Sequence, residues 1–225
     1  MSEDPLARAK EVAGRHAAGL IEDGMAVGLG TGSTVFWTIT ALGERKADVV
    51  CTATSRRTEE LARSFGLVVV TPDELGRLDI AVDGADEIDP ALNLIKGGGG
   101  AHTREKIVAD MADRFVVVAD ETKLVAQLGA FGVPVEALDF APGVLADRLR
   151  GLGAVDVVRS AELSDNGNVL MKAWFGLLTD PLPLSGALAT VPGLIEHGIF
   201  PGDWVERVIV ADNAGRVVER IRSQS

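Results

Sequence analysis

The sequence is poor in the groups that would point to covalent or metal chemistry. It holds one cysteine, Cys51, among 225 residues, so no internal disulfide can form, and no Cys/His cluster has zinc-ligand spacing. Positive charge is scarce: 22 Lys and Arg against 33 Asp and Glu leave a formal net charge of −11. A general nucleic-acid binder needs a basic footprint, so that class is set aside. An anionic small molecule is not excluded, because a few local donors can outweigh the global field. Unbroken apolar runs are missing too. Residues 24–43 carry no charge over 20 positions, which is long enough for a membrane span, but five glycines and five Ser/Thr residues interrupt them. Ser2, Glu3, Asp4 and Pro5 lack the basic start and apolar core of a secretory signal. A soluble cytoplasmic protein without membrane or nucleic-acid partners is expected.

What is present is a globular composition, 47% apolar and 24% charged. The length suits one ordinary domain or two small ones, and folding at this size buries roughly 70% of the unfolded surface. Leu6, Ala9, Val12, Ala13, Ala17, Leu20 and Ile21 recur at helical spacing and predict an opening amphipathic helix. Short apolar runs follow at 25–29, 49–52, 67–70, 80–82, 92–95 and 115–119, with helical patterns at 33–42 and 58–65, the latter closed by Gly66. This alternation indicates an α/β fold, a Rossmann-like open parallel sheet with helices on both faces. After Asp120 the texture changes. Strands are expected at 131–136 and 155–159 around a helix at 142–152, and hairpins at Asp165-Asn166-Gly167-Asn168 and Asp212-Asn213-Ala214-Gly215. The expected division is a catalytic α/β domain at 1–128 with 204–225, and a smaller α+β domain at 129–203, the last hairpin returning to the main sheet.

Three motifs follow predicted strands. Gly28-Leu29-Gly30-Thr31-Gly32-Ser33-Thr34 runs from a strand through a glycine turn into a helix, whose N-terminal amides and the hydroxyls of Thr31, Ser33 and Thr34 suit a phosphate. Equally, it reads as a plain strand–helix turn with a Ser/Thr N-cap. Ser33 breaks the dinucleotide fingerprint, and no Gly-Lys pair makes a Walker loop. Asp83-Gly84-Ala85-Asp86-Glu87-Ile88-Asp89 lies where ligands bind in open α/β sheets; taken alone it reads as a solvated acidic turn, with spacing unlike a calcium loop. The third motif is Lys96-Gly97-Gly98-Gly99-Gly100-Ala101-His102-Thr103-Arg104-Glu105-Lys106. Four glycines between close apolar runs suit a backbone-lined cavity better than a linker. Lys96 would stand at its mouth, and Glu105, in the next helix, would be either a dipole complement or a general base.

Gly-Thr-Gly-Ser-Thr at 30–34, Asp-Gly-Ala-Asp-Glu at 83–87, Lys-Gly-Gly-Gly at 96–99 and Thr-Arg-Glu-Lys at 103–106 together resemble the type A ribose-5-phosphate isomerase family. The likeness continues through Ala119-Asp120 with Lys123, Asp165 to Asn168, and Pro192-Gly193 with Gly198-Ile199-Phe200, and so spans nearly the whole chain. It implies interconversion of ribose 5-phosphate and ribulose 5-phosphate through an enediolate, without metal or other cofactor, by a homodimer or homotetramer. By the same resemblance Glu105 is the base moving a proton between C1 and C2. Lys96 and the amides of Gly97, Gly98 and Gly99 steady the oxyanion. Asp83 and Asp86, with Gly84 and Ala85 between them, bind sugar hydroxyls, one aspartate assisting ring opening. Thr31, Gly32, Ser33 and Thr34 line the substrate site, and Lys123 and Lys10 supply charge for the phosphate.

Two positions depart from the family pattern. Ala53-Thr54-Ser55-Arg56-Arg57 stands where a serine-rich segment is common, leaving Arg56 and Arg57 without an assigned place, and His102 replaces a small or aliphatic residue. His102, His16 and His197 read as structural, Trp37, Trp174 and Trp204 as core or interface anchors, and Cys51 as a buried inert thiol. The competing function is a sugar-phosphate sensor that binds without turnover, but the chain has no basic helix-turn-helix segment and keeps Lys96 and Glu105. An amino-sugar-phosphate isomerase-deaminase and a nicotinamide-dependent oxidoreductase are the other enzyme alternatives.

Overall fold

The computed structural model describes residues 6–222. Ser2, Glu3, Asp4 and Pro5, on which the expectation about a secretory signal rests, lie outside the described residues. In chain order the elements are α1 (Ala7–Ala18), β1 (Ala26–Leu29), α2 (Val35–Glu44), β2 (Val50–Ala53), α3 (Arg56–Ser64), β3 (Val68–Val69), α4 (Pro72–Leu75), β4 (Ile80–Asp83), β5 (Glu87–Ile88) and β6 (Leu94–Ile95). Then come α5 (His102–Asp110), β7 (Phe115–Asp120), β8 (Val133–Ala137), α6 (Pro142–Gly151), β9 (Asp156–Leu163), β10 (Val169–Trp174), α7 (Leu182–Ala189), β11 (Leu194–His197), β12 (Ile199–Phe200), β13 (Val205–Ala211) and β14 (Val217–Ile221).

The chain divides into two compact units, Met1–Gly84 with Arg104–Lys123 and Asp203–Ser225, and Ala85–Thr103 with Leu124–Gly202. Relative to the division drawn from sequence, the second unit also takes in 85–103 and resumes at 124, after the stretch 104–123 that belongs to the first unit.

The first unit is built on a seven-stranded sheet in the order β14-β13-β7-β4-β1-β2-β3. All neighbours run parallel except β13 and β14, which form the closing hairpin at the sheet edge. Helices cover both faces. On one, Ala9, Ala13 and Ala17 of α1 are fully buried, their four-residue spacing laying one small-residue stripe inward. Ala13 and Ala17 join Val27, Leu29, Val35, Ile39, Val116, Val118 and Ile209 in the main core. On the other face Gly28 is crowded by Val108 of α5, which stands 2.5 Å from where a Cβ would be. From β1 the chain moves outward to β2 and β3, then crosses to β4 on the opposite side. The switch point of the sheet therefore lies between the carboxyl ends of β1 and β4, the place where open α/β sheets receive ligands.

The second unit holds an antiparallel sheet, β11-β8-β10-β9, and a three-stranded one, β12-β6-β5. Along β10, Val169, Met171 and Ala173 are buried and alternate with half-buried residues, the period-two pattern of a sheet with one face on a core. That core includes Val133, Val135, Leu145, Leu149 and Leu188. The Asp165–Asn168 signal is the expected β9–β10 hairpin turn, with Gly167 at φ +81°. The apolar run at 92–95 differs from expectation. It does not enter the parallel sheet, because β6 pairs antiparallel with β5 and β12. The tryptophans are not core residues either: Trp37 and Trp174 are half-buried, and Trp204 is 36% exposed.

Candidate active site

In the first unit, β1 and β4 deliver the glycine turn and Asp83 side by side. Leu29 is in register with Val82, and Gly30 N–H donates to Val82 O at 2.9 Å. Asp83 Oδ1 accepts the backbone N–H of Thr31 at 3.1 Å and of Gly84 at 2.7 Å. A Cβ on Gly30 would stand 2.0 Å from that oxygen, so only glycine lets the carboxylate lie against the turn. Asp83 is 3% exposed. A solvated acidic turn, the reading of this motif by itself, is thereby corrected: Asp83, Glu87 and Asp89 are all buried, each with backbone amides as donors, which is how a buried carboxylate is tolerated.

The hydroxyl of Thr31 points away from a simple capping role. Thr31 Oγ1 lies 2.7 Å from Ser55 Oγ, 2.9 Å from Thr54 Oγ1 and 3.1 Å from Thr58 Oγ1, and Thr58 Oγ1 donates to Gly30 O at 3.0 Å. Thr34, at the start of α2, is buried and makes no side-chain cap bond, while Gly32 and Ser33 are exposed. Thr54, Ser55 and Thr58 carry no role in the sequence reading. Their signal was a hydroxyl residue just ahead of a helix, and Ser55 is indeed the N-cap of α3, accepting Thr58 N–H at 3.1 Å. Arg56 and Arg57 are both exposed.

Glu105 sits in the first turn of α5 and is 4% exposed. Lys10 is half-buried on α1, and Lys123 is half-buried at the end of a short 3-10 turn, Glu121–Lys123.

In the second unit, the acidic and glycine motifs meet. Asp86 Oδ2 accepts Gly98 N–H at 2.8 Å. A Cβ on Gly98 would fall 2.7 Å from Asp86 Oδ1 and 2.9 Å from the Phe131 ring. Gly97 and Gly100 have φ of +109° and +75°, and Gly98 and Gly99 are exposed. Ala85, and Gly84 of the first unit, are half-buried. Lys96 is not at the mouth of an opening: it is 2% exposed, its N–H donates to Gly198 O at 2.8 Å, and Nζ lies 5.3 Å from the centre of the Phe200 ring. The cause is β6 itself, held between β5 and β12, which draws the residue after Ile95 inward.

His102 is fully buried, with Nε2 3.3 Å from Glu196 O. Glu87, quoted within the acidic motif, has a role that its local pattern does not show. It takes the N–H groups of Gly129 at 2.6 Å and Phe131 at 2.7 Å, and so anchors the turn whose Phe131 ring faces Gly98. Among the described residues, no three His, Cys, Asp or Glu side chains gather in a way that could hold a metal ion, and no helix is long and apolar enough to cross a membrane.

Residues 50–215 match the family model of ribose 5-phosphate isomerase A (phosphoriboisomerase A). The chain is 46% identical over 229 residues to ribose-5-phosphate isomerase A of Thermomicrobium roseum, covering 97% of this chain and 96% of that one. Its fold is similar to a solved D-ribose-5-phosphate isomerase in complex with phospho-erythronic acid, with a TM-score of 0.90 at 38% identity over 95% and 97% of the two chains. It is likewise similar to ribose 5 phosphate isomerase A from Neisseria gonorrhoeae, with a TM-score of 0.91 at 33% identity over 96% of each.

Proposed function

The chain belongs to the ribose 5-phosphate isomerase A family and is an aldose–ketose isomerase, and from that premise we propose how its residues interconvert D-ribose 5-phosphate and D-ribulose 5-phosphate through an enediolate. Glu105 takes the proton from C2 of the open-chain aldose and returns it to C1. A proton beside a carbonyl is only weakly acidic, so the base must be placed against it while donors stabilise the developing oxyanion. Lys96 and the amides of Gly97, Gly98 and Gly99 supply that stabilisation, and a well-placed donor contributes about 3 kcal/mol to the barrier. Asp83 and Asp86, flanking Gly84 and Ala85, bind the sugar hydroxyls, and one of them assists ring opening. Thr31, Gly32, Ser33 and Thr34 line the substrate, and Lys10 and Lys123 hold the phosphate. No metal or other cofactor takes part. The protein acts in the cytoplasm as a homodimer or homotetramer on small sugar phosphates rather than on nucleic acid.

One observation carries this reading: Asp83, Lys96 and Glu105, three groups of ionisable type, are 3%, 2% and 4% exposed. Side chains of these types are almost never so buried unless they are paired, and acid–base chemistry that must keep water from the enediolate calls for such burial. The sensor reading has no comparable support, since ligand binding without turnover needs no buried base.

Proton NMR with ribose 5-phosphate in deuterated water containing EDTA tests the proposal. Ribulose 5-phosphate carrying deuterium at C1 is the expected product. Binding without isomerisation or exchange would instead assign the chain to sensing, and loss of turnover on adding EDTA would overturn the metal-free route.

A further inference from the structure

Glu136 lies on β8, an inner strand of the four-stranded sheet, and is fully buried. Four side chains donate to its carboxylate. Ser164 Oγ and Asn168 Nδ2 reach Oε1 at 2.7 Å each, Asn166 Nδ2 reaches it at 3.0 Å, and Thr103 Oγ1 donates to Oε2. Burial would raise the pKa of this carboxyl, but the donors Thr103, Asn168, Ser164 and Asn166 together hold it below the ordinary carboxylate range, so at neutral pH it is an anion able to accept from all four.

Three of these donors come from one place, the β9–β10 turn. A hairpin needs only a residue such as Gly167 at positive φ and the backbone bond from Ser164 N–H to Asn168 O; it does not need three side chains aimed at one carboxylate. The fourth donor comes from elsewhere in the chain. Thr103 is in the first turn of α5, two residues before Glu105. Oε1 thus takes its three donors from the hairpin, whereas Oε2 has a long contact of 3.4 Å to Asn166 Nδ2 and holds, through Thr103, the start of the helix that bears Glu105.

We propose that Glu136 is a positioning residue for isomerisation: braced by Ser164, Asn166 and Asn168, it fixes the first turn of α5 through Thr103 and so sets the direction of Glu105. This rests on the assignment of Glu105 as the base. Proton transfer depends steeply on placement, and an error of about 1 Å can lower a rate on the order of 100-fold. The anchor belongs on a strand and a tight turn, where supporting side chains are held more rigidly than on a loop.

The test compares wild type with Thr103→Val, Thr103→Ser, Glu136→Gln and the Thr103→Val/Glu136→Gln double variant, by steady-state kinetics on ribose 5-phosphate and by thermal unfolding. Thr103→Val keeps the shape of the side chain and removes the donor. It should lower kcat about tenfold or more with KM within about twofold of wild type, and Thr103→Ser should recover most of the loss. The double variant should be no slower than Glu136→Gln alone, since both remove the same tether. A Thr103→Val enzyme with wild-type kcat, or one changed only in KM, overturns the proposal. Should Glu136→Gln fail to fold, the Thr103 pair decides alone. Absence of turnover in wild type would instead strike at the isomerase reading itself, whereas an active wild type with an unaffected Thr103→Val refutes only the positioning role.

Discussion

Asp83 accepts the backbone N–H of Thr31 through Oδ1 at 3.1 Å, so the carboxylate that ends β4 is held by the turn that follows β1. Two motifs separated by about fifty residues in sequence become one structural feature at the switch point of the sheet. A second such bond, from Gly98 N–H to Asp86, joins the acidic segment to the glycine loop within the other unit. Each aspartate is oriented by main-chain donation, which leaves its carboxylate little freedom of position.

Gly30→Ala should be disproportionately harmful for a single methyl group. The added Cβ would stand 2.0 Å from Asp83 Oδ1 and 2.1 Å from its Cγ, forcing the carboxylate off its two amides. A stability loss of about 1–3 kcal/mol is expected from overpacking, together with a fall in kcat/KM on the order of 100-fold. Urea unfolding and steady-state kinetics on the same preparation check both parts.

Glu105→Gln keeps the size of the side chain and removes the proposed base. Turnover should fall by about 10²–10⁴-fold, while ribose 5-phosphate still binds in a calorimetric titration. The same variant should show no wash-in of solvent deuterium. Retained exchange would move the base to another residue.

Glu206 offers a test of acid sensitivity away from the site. It receives Arg114 at 2.7 Å and Arg207 at 2.9 Å, and the Arg114 guanidinium, opposed by partial burial, lowers its pKa from the usual carboxylate value. A carboxyl whose pKa is depressed by folding adds stability above its unfolded pKa and loses it as pH falls through the folded one. Glu206→Gln should therefore cost about 1 kcal/mol at pH 7 and show a smaller drop in urea midpoint than wild type between neutral pH and the acid side of the carboxylate range. Parallel curves would mean that the pair contributes nothing to the acid response.

Cys51 should be silent to thiol reagents in the native protein. It is fully buried on β2, and burial alone pushes its pKa up to about 12, so almost no thiolate exists near pH 8. A chromogenic disulfide reagent should report no reaction under native conditions and one equivalent after denaturation.

How far the residues themselves spoke can be judged from particular segments. The helix at Ala7–Ala18, the strands at 26–29, 50–53, 80–83 and 115–120, and both hairpin turns were legible, because periodicity and turn chemistry are written in contiguous residues. The parallel α/β class followed from the same local signals. Tertiary structure decided the rest. It sent Leu94 and Ile95 to a small antiparallel sheet because their partner, Ile199–Phe200, arrives a hundred residues later, and that pairing buried Lys96. It gathered Thr54, Ser55 and Thr58 around Thr31, gave Glu87 its two amides, and brought Thr103 and the β9–β10 turn to Glu136. In each case a polar group meets donors from a distant segment, and a local pattern cannot name those donors because only the packed chain excludes the water that would otherwise serve in their place.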